Sequence, residues 1–302
     1  MRIDITLTRM NKEKNDFISI KNDKLEITFS SLGASLYRVK YDGKDMILTP
    51  KEEKEFYRED VYFGKSIGRV CGRLVSGNHG SYNFEDNENG VSLHGGHNGL
   101  STKNFDYALF DKKIIFRYTS KDGEAGYPGN LTLVVTYELQ DNSLLLKYFA
   151  KTDKPCLLAL TNHTYFCLGE SEKDKLSLKF DSDKYIKVDS KLLPVSLEKV
   201  PEKWNFLLGK SLSETGDIDN SFLLNKKVIN LYSNKYELKI ETDYDATQIF
   251  TDHFENDFQV LTSGRYLYRG VAIEPQDNQL ERKELLQGES YERFIKYTFT
   301  KL

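Results

Sequence analysis

Glu274 and His163 are two side chains of this sequence whose types could move protons. Glu274 stands in Gly-Val-Ala-Ile-Glu-Pro-Gln and closes an apolar run. Pro275 cannot donate to a β-ladder, so a strand is expected to end at that point. A carboxyl group at the end of a buried strand keeps its proton to higher pH than a solvated one, which suits a base. A surface glutamate at a strand end fits the same residues. His163, in Leu-Thr-Asn-His-Thr-Tyr-Phe, sits at the end of another apolar stretch. A core histidine with its ring nitrogens satisfied is the usual account of such a residue.

The sequence holds five histidines. His79, in Ser-Gly-Asn-His-Gly-Ser, and His253, in Thr-Asp-His-Phe-Glu-Asn, read as solvated residues in turns. His94 and His97 form His-Gly-Gly-His, a spacing that invites a metal. Two adjacent glycines argue against the helix that would align such ligands, and no carboxylate or cysteine completes a set, so no metal is expected. His94 follows Val-Ser-Leu and precedes two glycines, which permit a ligand close to the main chain. Arg73 and Asp219 look ordinary by themselves. Phosphate loops, dinucleotide fingerprints and nucleophile elbows are absent.

Strands must position these groups. Leu176, Leu178 and Phe180 alternate with polar residues, as do Tyr236, Leu238 and Ile240. The stretches Phe17 to Phe29, Ile114 to Tyr118 and Leu131 to Leu139 behave alike. A period of two lays apolar side chains on one sheet face. Asp42-Gly43 between Leu36–Tyr41 and Met46–Leu48 marks a hairpin. Asp122-Gly123, Pro128-Gly129 and Asp141-Asn142 punctuate the later strands. No long amphipathic helix, short repeat or Gly/Ser linker appears, so the 302 residues read as one domain of antiparallel strands, a sandwich or barrel.

Composition excludes several classes of function. With 39% hydrophobic and 13% aromatic residues the chain is no disordered segment. A formal charge of -3 gives no reason to expect nucleic acid or an anionic membrane as partner. The three cysteines, Cys71, Cys156 and Cys167, are widely spaced and odd in number, against a disulfide framework. The N-terminus lacks an apolar stretch for a signal sequence, and no run approaches a membrane helix, so a cytoplasmic protein is expected. Oligomeric state leaves no mark in the sequence.

Taken together and in order, these segments resemble the galactose mutarotase (aldose 1-epimerase) family. Phe63 to Arg69 is similar to its Phe-Gly-x-x-Ile-Gly-Arg, Ser92 to Gly96 to Ser-Leu-His-Gly-Gly, and Asp122 to Leu131 to Asp-Gly-Glu-Glu-Gly-Phe-Pro-Gly-Asn-Leu. Thr161 to Phe166 resembles Thr-Asn-His-x-Tyr-Phe, Gln248 to Thr251 resembles Gln-x-Tyr-Thr, and Ala272 to Gln276 resembles Ala-Leu-Glu-Pro-Gln. Gln287 to Tyr291 is similar to the closing Pro-Gly-Glu-x-Tyr. The resemblance runs from about residue 17 to the end of the chain. It implies an all-β fold, a large antiparallel β-sandwich of the mutarotase type with a sugar in a cleft over one sheet. It implies exchange of anomers of a free aldohexose without a cofactor, Glu274 as general base and His163 as general acid. His94, Arg73, Asp219 and Gln248 would bind the substrate. A neighbouring carboxylate is expected to hold His163 charged near neutral pH.

The chain departs from the family pattern at its rim. Gly72 stands for Asn beside the arginine, and Asn220 for the His of Asp-His-Asn-Phe. Phe105 stands for a Trp after the His-Gly-Gly turn, and Asp277 to Lys283 replaces the loop that follows Glu-Pro-Gln. These positions leave open whether galactose, glucose or another aldose is preferred. Two alternatives remain: a hexose-6-phosphate 1-epimerase of the same fold, which would need further Arg or Lys at the cleft, and a silent sugar-binding module.

Overall fold

The architecture is that of a computed structural model, which describes residues 15–50, 52–251 and 270–302. Three antiparallel sheets dominate. A nine-stranded sheet runs, in spatial order, Asp106–Phe110, Lys113–Ser120, Leu131–Gln140, Ser143–Thr152, Tyr291–Lys301, Tyr236–Thr242, Val228–Tyr232, Ser177–Phe180 and Lys210–Ser211. A six-stranded sheet runs Tyr165–Phe166, Val271–Gln276, Ala246–Phe250, Asp219–Leu223, Lys184–Val188 and Pro194–Lys199. The third, of four strands, is built from Phe17–Lys21, Leu25–Ser30, Ser35–Tyr41 and Lys44–Asp45. The sandwich expected from alternation is therefore present.

The period of two explains how the layers meet. Leu131, Leu133, Val135, Tyr137 and Leu139 turn inward from one strand of the large sheet. Val271 and Ile273 turn inward from the six-stranded sheet and join the same core as Leu146, Ile295 and Tyr297. Across the interface the Phe166 and Tyr297 rings lie 5.5 Å apart. The opposite face of the six-stranded sheet, carrying Ala272, Glu274 and Gln276, is left to form a cleft.

Two local expectations met different fates. Asp42 and Gly43 both take positive φ, 51° and 73°, the conformation a two-residue hairpin turn requires. The strand expected to end at Glu274 instead continues through Gln276, with Pro275 paired to Thr247. The N–H of Ile273 faces the neighbouring Thr164 carbonyl, so Pro275, two residues on, turns its missing donor to that same side. The Tyr165–Phe166 strand pairs there only with Val271 and Ala272, so no ladder bond is lost. Among the described residues the sole α-helix is Glu53–Phe56, and no helix is long and apolar enough to cross a membrane.

Candidate active site

Strand register assembles the cleft floor. Tyr165 pairs with Ala272, so two residues further along the same antiparallel line His163 comes opposite Glu274. Glu274 pairs with Gln248, and Gln248 with Ser221. One rung thus carries His163, Glu274, Gln248 and Ser221 on a single face. The neighbouring rung carries Tyr165, Ala272, Phe250 and Asp219 by the same pairings. Beyond Ser221 the pairing of Tyr185 with Phe222 brings Ile186 alongside. All but Ala272 line one cleft of about 310 Å³.

The wall comes from a separate hairpin. Arg73–Val75 pairs with Val91–Leu93, which delivers Arg73 and the following His94 to the cleft. His94 is locked to Gly72 twice: its N–H donates to the Gly72 carbonyl at 2.9 Å, and its Nδ1 accepts from the Gly72 N–H at 3.2 Å. Nδ1 is therefore an acceptor, and the ring proton sits on Nε2. The glycine after it is there for space, since a Cβ on Gly95 would lie 2.2 Å from the Gly68 carbonyl oxygen. The Tyr62 ring closes the corner, 4.7 Å from the His94 ring and 5.5 Å from that of His163.

Electrostatics single out one pair. His163 Nε2 and Glu274 Oε1 are 3.3 Å apart, and both side chains are almost wholly buried. Burial pushes His163 down to about 3. Burial also lifts Glu274 well above the usual carboxylate range, with Asp219 adding to the shift and Arg73 opposing it. Burial thus opposes the charge expected on His163, desolvation outweighing the neighbouring carboxyl group. His94 is likewise pushed down by burial, helped by His163 and the Arg73 and Arg282 guanidinium groups.

The remaining polar groups divide into partnered and poised. Gln248 Nε2 donates to Asp219 Oδ1 at 2.6 Å, and burial raises Asp219. Arg73 reaches the cleft but is gripped by Glu88 through both Nε and Nη2, the second at 3.0 Å. Gln276 spans the floor, donating to Ser221 Oγ at 3.1 Å and accepting from Cys71 Sγ. Nδ1 of His163 is buried without a hydrogen-bond partner among the described residues.

The structure therefore brings together every residue expected at the site: Glu274, His163, His94, Arg73, Asp219 and Gln248. His97 is separate, exposed and 3.1 Å from Glu59. His79 is exposed, while His253 lies outside the described residues. Among the described residues no group of three His, Cys, Asp or Glu side chains converges as a metal cage. Sequence reasoning missed Ser221, Gln276, Glu88, Tyr62 and Gln279. Ser221 was within reach, two residues from Asp219 on an alternating strand. Nothing in the sequence marks Glu88, whose role depends on where a loop returns.

Comparison with known proteins bears directly on this arrangement. Residues 16–298 match the aldose 1-epimerase family. The chain belongs to that family. It is 27% identical to a galactose mutarotase of Sus scrofa over 266 residues, 78% of this chain and 77% of that one. It is 27% identical to an aldose 1-epimerase of Haemophilus influenzae, over 86% of this chain and 85% of the relative. An aldose epimerase homologue from C. elegans superposes with a TM-score of 0.88 at 27% identity, covering 96% of this chain and all of the other. For a galactose 1-epimerase from Lactobacillus acidophilus the TM-score is 0.84 at 26% identity, covering 95% and 99%. The fold of this family is thus the β-sandwich described above.

Proposed function

We propose that the protein interconverts the α and β anomers of a free aldohexose by opening and closing the sugar ring. One observation carries the reading: a buried acid and base in mutual contact at the floor of a polar cleft. Ring opening removes a proton from the C1 hydroxyl and adds one to the ring oxygen. Both oxygens are bonded to C1, so the two proton-transfer groups must lie close together. Glu274 and His163 meet that condition.

The pair holds one proton. In the resting arrangement it lies on Glu274, and transfer along the 3.3 Å contact gives carboxylate and imidazolium. Sugar hydroxyls donating to Glu274 favour that charged form, as does Arg73. Glu274 then takes the C1 hydroxyl proton while His163 gives its proton to the ring oxygen, and the C1–O5 bond breaks to an aldehyde. Rotation about C1–C2 presents the other face. Closure returns each proton to its donor, so the pair ends each cycle as it began. His94, through Nε2–H, and Arg73 serve the ring-oxygen side, while Asp219, Gln248 and Ser221 hold hydroxyls. Each proton-transfer group contributes roughly 10²–10⁴-fold.

The described lining favours an uncharged sugar. Its carboxyl groups are Asp60, Glu88, Asp219 and Glu274, and its one Arg or Lys, Arg73, is held by Glu88. Among the described residues a phosphorylated substrate would meet acid without a free cation. Polarimetry of freshly dissolved galactose, glucose and glucose 6-phosphate tests the proposal. Catalysed exchange of a free sugar supports it, and exchange confined to the phosphorylated sugar, or none, overturns it.

A further inference from the structure

The loop that departs from the family pattern, Asp277 to Lys283, is fixed at both ends. Asp277 accepts from the Tyr291 hydroxyl at 2.8 Å and from Arg293 Nε and Nη2 at 2.9 and 2.6 Å. Arg282 is half-buried and reaches the facing hairpin, where its Nη2 donates to the Cys71 carbonyl at 2.8 Å and its Nη1 to that of Arg73 at 3.0 Å. Between these anchors Asn278 folds the backbone on itself, its side-chain oxygen accepting from the Leu280 N–H. The turn so formed aims Gln279 into the cleft beside Gly72, Arg73 and His94.

The Gln279 carboxamide makes no hydrogen bond to the described residues, unlike the Gln248 and Gln276 amides. It occupies the space a side chain at Gly72 would need. A Cβ at Gly72 would stand 2.9 Å from Gln279 Nε2, 3.3 Å from its Cδ and 3.1 Å from Arg282 Nη2. Gly72 also has φ +72°, a region that asparagine tolerates better than other side chains. A side chain on residue 72 would therefore displace the end of the Gln279 side chain from the place it now holds.

We infer that Gln279 is a substrate-binding residue, whose amide hydrogen-bonds a sugar hydroxyl on the Arg73–His94 side of the cleft. Gly72 is the space that admits it. The two positions form a reciprocal pair, with the amide supplied by the loop because the hairpin carries none. This inference rests on the cleft being a sugar site.

The test measures anomer exchange and, separately, calorimetric sugar affinity for the parent, Q279A, G72N and G72N/Q279A. Loss of one neutral hydrogen bond predicts that Q279A raises KM about three- to tenfold with kcat little changed, and weakens binding equally. G72N should lose more, because its side chain collides with the amide. Removing that amide in G72N/Q279A should restore much of the loss, whereas a merely structural role for Gln279 would leave KM and sugar affinity of Q279A at parental values. Unchanged KM and affinity in Q279A, or a double variant no better than G72N, overturns the inference. If G72N does not fold, the Q279A comparison decides alone. A parent that exchanges no anomers overturns the epimerase reading instead, and the calorimetric arm still judges Gln279.

Discussion

The Leu131–Gln140 strand of the large sheet and the Val271–Gln276 strand of the six-stranded sheet obey the same geometry to opposite ends. The first alternates buried and half-buried residues along its whole length, and each inward residue is apolar. The second is buried at every position, with a glutamate and a glutamine on its cleft face. A strand that is apolar inside and solvated outside gains stability at every second residue. A strand covered on both sides must desolvate whatever its polar face carries, and here that cost shows as the upward push of burial on the Glu274 carboxyl group. Stability and chemistry are thus assigned to different sheets, and the predictions test that separation.

The sharpest break should come from Glu274→Gln, which keeps shape and removes the base. Anomer exchange should fall about 10²–10⁴-fold. Stability should not fall with it. Glu274 has a raised pKa in the fold, so the parent loses stability as pH rises above the unfolded value of about 4.5 toward the folded value, and glutamine lacks that penalty. Thermal unfolding at pH 8 should show the variant at least as stable as the parent. Exchange at the parental rate would remove Glu274 from the mechanism.

Leu133→Ala in the large sheet should do the reverse. Leu133 is wholly buried, and its truncation should cost roughly 2–5 kcal/mol in denaturant unfolding. KM and kcat of the folded fraction should stay near parental values. A large change in KM would show that the two sheets are not energetically separate.

pH probes the same divide more gently. His163 binds a proton in the fold only near pH 3, whereas the unfolded chain takes one near 6.5. The unfolded state therefore holds the extra proton of this residue between these values, a contribution that lowers stability as pH drops and that Glu274 offsets above about 4.5. The slope from this residue is up to about 1.4 kcal/mol per pH unit. His163→Gln should change the slope by about one proton across this window, measured as unfolding free energy against pH. Identical slopes would mean that His163 titrates normally in the fold. kcat/KM of the parent should likewise show no step near pH 6.5, since the working pair gains its second proton only at lower pH.

The smallest effect belongs to the floor. Ser221→Ala removes a hydroxyl that accepts from Gln276, and should shift KM by a few-fold, corresponding to about 1 kcal/mol. A loss as large as that of Glu274→Gln would give Ser221 a role in the proton transfers themselves.

What the sequence revealed follows the same division. Alternation exposed the large sheet, because one solvated face leaves polar residues at every second position. The Glu274 strand gave no such pattern, and Pro275 pointed to an end that pairing on the other side made unnecessary. The site residues were legible through collinear motifs, yet their meeting was not, since the rung joining His163 to Glu274 depends on register between distant segments. The charge of His163 was misjudged because a sequence names neighbours but not the depth at which they lie. Gln279 and Glu88 were invisible because loop return, not residue type, places them.

The rung across the cleft has a further consequence. Glu274, Gln248 and Ser221 sit on three paired strands, with His163 just beyond the pairing of the next, so the spacing of the three is set by the repeat between strands, about 4.8 Å, and not by any flexible linker. The floor is in effect a fixed ruler with interchangeable marks. Exchanging one mark alters which hydroxyl pattern is read while the backbone ladder beneath keeps its spacing. Substrate preference can therefore drift at Ser221 or Gln248 without moving the two groups that exchange protons.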